Sequence, residues 1–260
     1  PVNHVPPAAA PLWRGARLAA VPGVRHGFMG REGGVSRGAL SSLNLARRPR
    51  ERDEDLAENW RRVTAWLRVP PDRVALVTQV HGARVLRVTE PAGPLVALGE
   101  ADALVTDVPG VVLAIRTADC VPVLLASSHG VAAAHAGWRG TAAGVVGASV
   151  GALRELGDSE IVAAVGPSIA GAHYEVGDEV VAGLAKAGGD PAEFVVGQSS
   201  RGRPLVDVAA VVVAQLRALG VRHVDRFRGS TFTHEHLWSH RRHGAHAGRQ
   251  AAVIVRGSAS

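Results

Sequence analysis

Thr117-Ala118-Asp119-Cys120-Val121-Pro122-Val123-Leu124-Leu125-Ala126 leads into Ser127-Ser128-His129-Gly130 and then Val131-Ala132-Ala133-Ala134-His135-Ala136-Gly137-Trp138-Arg139-Gly140. Two apolar runs, residues 121–126 and 131–134, flank a polar tetrapeptide containing glycine, the pattern of a β-hairpin. A reversal at Ser127-Ser128 sets Cys120, the only cysteine, directly across from His135. A neighbouring register leaves the two about two positions apart. Cross-strand Cα atoms lie roughly 4.5–5.5 Å apart, so a thiolate and an imidazole there reach one metal ion or share one proton. Thr78-Gln79-Val80-His81-Gly82 closes another apolar run, Val74–Val77, with a histidine before a glycine, and supplies His81 as a third group. One Cys and two His with an open fourth position form a first shell for catalytic zinc. Spacing alone leaves three readings open: a zinc site, a Cys–His nucleophilic pair, and a small core cysteine beside two ordinary histidines.

Outward from this hairpin, 260 residues with 47% hydrophobic content are enough for one substantial core. Residues 1–25 read as a tail and lead-in, with the Pro- and Ala-rich start, residues 1–11, poorly ordered, and residues 26–256 as one domain. Asp53–Leu67 has the spacing of an amphipathic helix (Leu56, Trp60, Val63, Leu67), stopped by Pro70-Pro71. Strand-like runs follow at 74–80, 103–106 and 111–117, then the hairpin, then 161–165 and 251–255. Helices are expected over 141–156, tolerating Gly144, Gly147 and Gly151, and over 178–187 and 206–219, the last ending at Gly220. Strands mixed with non-alternating helices argue for a layered α/β domain.

The formal net charge is +6, and Lys186 is the only lysine, so the positive charge is almost all arginine. Carboxylates are interspersed, and the longest basic run is Arg47-Arg48-Pro49-Arg50. This is not the pattern of a nucleic-acid surface; arginine's planar fork suits a small anion such as phosphate. No apolar stretch reaches the roughly 18 residues of a spanning helix, and no secretory leader pattern is seen at the start. A single cysteine excludes an internal disulfide. A cytoplasmic monomer that binds neither membrane nor nucleic acid is the expectation.

Several segments occur together and in order: His26-Gly27-Phe28, Arg31-Glu32-Gly33-Gly34-Val35-Ser36, Ser41-Ser42-Leu43-Asn44-Leu45, Gln79-Val80-His81-Gly82 and Ala101-Asp102-Ala103. The 117–122 and 135–140 segments, Gly166-Pro167-Ser168-Ile169 and Tyr174-Glu175-Val176 complete the set. Together they resemble the YfiH-type laccase-domain, or polyphenol oxidase, family from about His26 to Gln250. The resemblance implies a β-sandwich flanked by helices, with zinc (or copper) on His81, Cys120 and His135. It implies a purine nucleoside phosphorylase acting on adenosine, inosine, guanosine or methylthioadenosine with inorganic phosphate, and also an adenosine deaminase. Peptidoglycan-precursor editing is a second role attached to the family. A Cys-His hydrolase or amidase using Cys120 is a third reading, because the fold has been compared with a toxin deamidase domain. A multicopper laccase is least supported, since Cys120 has Asp and Val neighbours rather than histidines.

Around the metal residues, Asp119 is a candidate general base or a partner orienting a ligand histidine. Arg139 begins a helix, where backbone N–H groups favour anions, and is the expected phosphate contact. Arg31 and Arg241 are further anion candidates, and Ser36, Asn44 and Gln79 are candidate hydrogen-bonding groups for base or ribose. The deaminase signature His-x-Glu with Pro-Cys-x-x-Cys is absent, and so is a Walker loop, since Ala187 follows Lys186. His234, His236, His240, His243 and His246 read as a loop-rich surface segment. The family pattern leads one to expect Cys-Tyr where His173-Tyr174 stands and Cys-Thr at Ser230-Thr231. It also leads one to expect Phe-Ser-Tyr-Arg-Arg at Trp238–Arg242.

Overall fold

The apolar runs of this chain are long because most central strands are covered on both faces. The computed structural model describes residues 9–257. In chain order its strands are β1 (Val24–Phe28), β2 (Val74–Thr78), β3 (Val85–Arg87), β4 (Ala97–Glu100), β5 (Ala103–Thr106), β6 (Val112–Thr117) and β7 (Val121–Ala126). They continue with β8 (Val131–Ala136), β9 (Val162–Val165), β10 (Val195–Gln198), β11 (Pro204–Val206), β12 (His223–Arg226) and β13 (Gln250–Arg256). A five-stranded sheet, β1-β13-β6-β2-β4, packs on a six-stranded sheet, β12-β9-β7-β8-β5-β3, while β10 and β11 form a small ribbon.

Side chains alternate between layers with the two-residue period of a strand. Leu113, Ile115, Leu124, Ala133 and Ile254 meet between the two sheets. Their neighbours Val112, Ala114 and Val253 point the other way, onto Leu56, Trp60, Val63 and Leu67 of the Asp53–Leu67 helix. On the far face, Val123, Leu125, Ala132 and Ala134 pack under the helices Val145–Arg154 and Val208–Ala218. The result is a layered α/β domain, the helix-flanked β-sandwich that the family resemblance implies.

The hairpin turn centres one residue later than expected, which shifts the cross-strand pairing by two. Val121 pairs with Ala136 and Pro122 with His135, which centres the turn on Ser128-His129. Ser127 sets this turn: its N–H donates to Gly130 O at 2.9 Å, and its Oγ accepts from His129 N and Gly130 N at 3.1 and 3.2 Å. Cys120 is therefore diagonal to His135 and on the same face, so their proximity survives the shift.

Other departures have local causes. The helix expected over 141–156 is two helices, Trp138–Ala142 and Val145–Arg154, because Gly144 turns left-handed at φ 89° between them. Arg68, at φ 57°, ends the Asp53–Leu67 helix before the prolines are reached. Strands β1, β3, β4, β10, β11 and β12 were not expected; most are short, with half-exposed residues that dilute the alternation. Residues 1–8 of the expected tail lie outside the described residues. Ala9, by contrast, is buried and donates its N–H to Arg62 O at 3.1 Å, and Trp13 bridges to Phe28. Among the described residues no helix is long and apolar enough to cross a membrane.

His26 on β1 has a consequence for pH. It is 1% exposed and its Nε2 accepts from Gly15 N at 3.0 Å. Burial, and then the charge of Arg14, push its pKa down to about 4 despite the opposing pull of Asp225. The fold therefore holds His26 neutral. Above pH 6.5 this costs nothing, but from 6.5 down to about 4 the unfolded chain takes up a proton that the folded chain refuses. His26 should thus remove about 2 to 3 kcal/mol of stability between pH 7 and 4.5. Urea unfolding of His26→Gln, which keeps an acceptor for Gly15, should show a smaller loss over that range. Equal losses in both proteins would refute the assignment.

Candidate active site

Three segments converge at the end of the sandwich where β2, β6 and β8 finish. His81 follows β2, Cys120 sits between β6 and β7, and His135 is on β8. Their ligating atoms all lie within 4.8 Å of one another. Cys120 Sγ is 4.0 Å from His81 Nε2, and the two imidazoles meet edge to face at 4.8 Å between centroids. Among the described residues this is the one cluster of His, Cys and carboxylate groups close enough to share an ion.

Asp102, just before β5, holds the arrangement together. His135 Nδ1 donates to its Oδ1 at 2.8 Å, which leaves His135 Nε2 to face the cysteine. Its oxygens also accept the backbone N–H groups of Val80 (3.2 Å), His81 (2.9 Å) and Gly82 (2.6 Å). His81 takes a left-handed φ of 61°, a conformation that costs a non-glycine residue energy and that surrounding bonds must impose. Gly137 leaves the necessary room: a Cβ there would lie 3.0 Å from His81 Cδ2 and 3.2 Å from Cys120 Sγ.

The electrostatics favour a thiolate. Burial pushes the Cys120 thiol up, but hydrogen bonds to His135 and His81, with their charges, outweigh it and bring it to about 6. Burial likewise disfavours a charged His135, yet its bonds to Asp102 and Cys120 raise it to about 9. A thiolate at neutral pH is what both a metal ligand and a nucleophile require. Two imidazole nitrogens and a thiolate within 4.8 Å of one another are a donor set that fits a zinc-type ion.

The cluster opens into a cavity of about 770 Å³ lined by Arg48, Gln79, Arg116, Asp119, Tyr174 and Arg249 among others. That volume falls within the roughly 300–1,000 Å³ usual for small-molecule sites. Of the residues singled out in the sequence, His81, Cys120, His135, Gln79, Asp119 and Arg241 line it. Asp119 does not orient a ligand histidine; Asp102 does. The Asp119 carboxylate instead accepts from Thr231 Oγ1 at 2.5 Å and Arg241 N at 2.6 Å. Gln79 clasps the backbone of Arg116, donating to its carbonyl at 2.8 Å and accepting its N–H at 2.9 Å.

Four other candidates stand apart from the cavity lining. Arg139 is exposed and stacks on Trp138, 4.5 Å from the ring centroid. Arg31 stacks on Trp238 at 4.1 Å and donates to Ser41 O at 2.9 Å. Ser36 and Asn44 are buried, and both donate to Glu51. Asn44 Oδ1 also accepts Arg249 N at 2.9 Å, so its polarity serves the scaffold. The C-terminal histidines are dispersed: His236 pairs with Glu32, His243 bonds Ser239, and only His240 lines the cavity.

Sequence reasoning missed Asp102, Arg48, Arg116, Arg249 and Tyr174 as site residues. Asp102 and Tyr174 lay inside segments already quoted and Arg48 inside the longest basic run, whereas Arg116 and Arg249 carried no local signal. Burial, then the charge of Cys120, raise the Tyr174 phenol to about 12, so it stays protonated beside the thiolate. Two positions that depart from the family pattern meet here, since His173 Nδ1 lies 3.1 Å from Ser230 Oγ.

Residues 25–257 match the family described as "Multi-copper polyphenol oxidoreductase laccase". A Deinococcus radiodurans protein named purine nucleoside phosphorylase is 40% identical over 94% of this chain and 92% of its own length. A Streptomyces coelicolor protein of the same name is 42% identical over 83% of this chain and 88% of its own. The crystal structure of YlmD from Geobacillus stearothermophilus superposes with a TM-score of 0.85 at 32% identity, covering 97% of this chain and all (100%) of that one. A Bacillus licheniformis protein, YfiH, gives 0.83 at 28% identity over 90% and 92%. Sequence, fold and relatives agree: the chain belongs to this laccase-like, YfiH-type family.

Proposed function

We propose that the chain is a metal-dependent purine nucleoside phosphorylase, with zinc held by His81, Cys120 and His135, that also deaminates adenosine. The observation that carries this reading is the convergence of those three ligands at an arginine-lined cavity, in a chain whose relatives bear the phosphorylase name. A single three-ligand group favours one ion over a multicopper cluster. Copper shares the preference for imidazole and thiolate, and metal analysis separates the two.

In phosphorolysis a phosphate oxygen forms a bond to the ribose C1′ as the C1′–N9 bond breaks. The products are ribose 1-phosphate and the free purine. In deamination water adds at the purine C6 and ammonia leaves. A bound zinc would supply Lewis acidity and polarise an oxygen at the site. The chain's own groups do the rest. Asp102 keeps His135 in one tautomer and fixes its ring. Tyr174, an aromatic side chain in the cavity wall, offers a face for the purine. Asp119, the one carboxylate among the lining residues, accepts the proton released when water adds.

The Cys–His hydrolase alternative rests on the lowered thiol pKa, to which His81 contributes, but it leaves the three-ligand convergence unused. Iodoacetamide distinguishes them. Zinc should protect Cys120, and chelation should expose it; rapid alkylation of zinc-loaded protein with parallel loss of activity would favour the nucleophile. Cys120→Ala should retain no metal and cleave neither inosine nor adenosine, with its circular dichroism unchanged. Asp102→Asn should weaken metal affinity by about 10- to 100-fold, the usual effect of removing a ligand's hydrogen-bond partner, measured by competition with a chromogenic chelator. Undiminished affinity would mean that Asp102 serves the fold alone. Cleavage of inosine in phosphate-free buffer at the full rate would overturn phosphorolysis.

A further inference from the structure

The cavity has a wall of positive charge, Arg48, Arg116 and Arg249, that is not ion-paired to any carboxylate among the described residues. Their guanidinium groups are steadied from one side by carbonyls. Arg48 Nη2 donates to Ala245 O at 2.6 Å, Arg116 Nη2 to Val77 O at 2.9 Å, and Arg249 Nη1 to Ala247 O and Gly248 O at 3.1 and 2.9 Å. The Nε of Arg48 is buried without any partner. Asp119, the lone lining carboxylate, accepts bonds from Thr231 and Arg241 rather than from these three.

The backbone beneath them is built for the purpose. Gln79 grips both polar atoms of the Arg116 peptide unit. Asn44 accepts Arg249 N and donates to Ala46 O at 2.6 Å, which ties together the two segments carrying Arg249 and Arg48. Half-burying cations without paired carboxylates costs folding energy. Arg249 feels burial first and then repulsion from Arg48, which lower its pKa against the opposing charges of Cys120 and Asp119; burial lowers that of Arg116. An anion that fills this wall relieves both.

We propose that Arg48, Arg116 and Arg249 hold the phosphate of the reaction, as a tetrahedral dianion bound beside the His81–Cys120–His135 cluster. This rests on the phosphorylase reading and replaces Arg139, the contact expected from sequence, with three arginines that are distant from one another in the chain. The planar fork of each guanidinium presents paired N–H donors to phosphate oxygens. The dianion could be inorganic phosphate or the ester phosphate of a nucleotide; the recognising chemistry is the same.

The test is calorimetric titration of inorganic phosphate into zinc-loaded wild type, Arg48→Gln, Arg116→Gln, Arg249→Gln and Arg139→Gln. Phosphate-dependent inosine cleavage is measured in parallel. Each wall variant should raise the phosphate Kd, and the phosphate KM with it, by about ten- to a hundredfold, as expected for loss of a charge-assisted bond. Arg139→Gln should change it by less than about twofold, since it removes no bond to the anion. Arg116→Lys keeps a cation without the fork and should fall between wild type and Arg116→Gln, which guards against a merely misfolded variant. If adenosine 5′-monophosphate displaces phosphate from wild type and loses affinity in the same variants, the wall takes ester phosphates as well. If phosphate alone binds, its ligand is the free anion. An unchanged Kd in the wall variants, no phosphate binding by wild type, or loss confined to Arg139→Gln overturns the assignment, whatever happens to inosine. Binding that the wall variants weaken, with no inosine cleavage, keeps the wall and sinks the phosphorylase reading.

Discussion

The carboxylate of Asp102 joins the two sheets where the chemistry is placed. It receives His135 from the six-stranded sheet and the three N–H groups of Val80, His81 and Gly82 from the loop after β2, a strand of the five-stranded sheet. Its backbone carbonyl accepts His135 N at 2.7 Å as well. Burial pushes this carboxyl up, but the His135 bond, the Gly82 amide and the His135 charge outweigh it and hold it below the usual range. One ionised side chain thus sets a histidine tautomer, imposes a strained φ on a second histidine and fixes the separation of both from Cys120. Without it each imidazole would have rotamers to lose before an ion could bind, and the entropy of ordering them would be charged to the metal.

Around that clamp the protein tolerates arrangements that a purely structural domain would avoid. His81 and Asp119 are both non-glycine residues at positive φ, 61° and 94°. Three arginines share a cavity lining without an ion pair to any described carboxylate. Such local violations of folding rules concentrate at functional sites, where stability is given up for preorganisation. The sandwich can bear this because its three apolar layers are continuous, from the Asp53–Leu67 helix through both sheets to the outer helices.

Two departures from the family pattern, at His173 and Ser230, touch one another. Ser230 Oγ also accepts from Ala170 N at 3.1 Å, so the pair pins the short turn that precedes Tyr174. A polar histidine–serine contact thus holds that turn.

Local chemistry was enough to read a layered α/β domain and the proximity of Cys120 to His135, while the helix-flanked sandwich came from the family resemblance. Period-two and helical spacing follow from backbone geometry, and a hairpin brings its own flanks together whichever neighbouring register it takes. That is why the register error at Ser127–Gly130 did no harm to the site. Short strands such as β3 and β12 were invisible, because they owe their conformation to partners far along the chain rather than to their own residues. The same holds for the cavity. Arg48, Arg116 and Arg249 are separated by dozens of residues, and nothing in the sequence distinguishes them from the arginines that lie on the surface. Asn44 and Gln79 were legible as polar residues near the site, but their spending on the backbone of Arg249 and Arg116 was not. Which carboxylate orients His135 depended on which strand lay beside β8, and β5 brings Asp102. The sequence alone determined which residue types could make the chemistry; only the tertiary structure decided which of them face one another, since long-range pairing is a property of packing rather than of any local window.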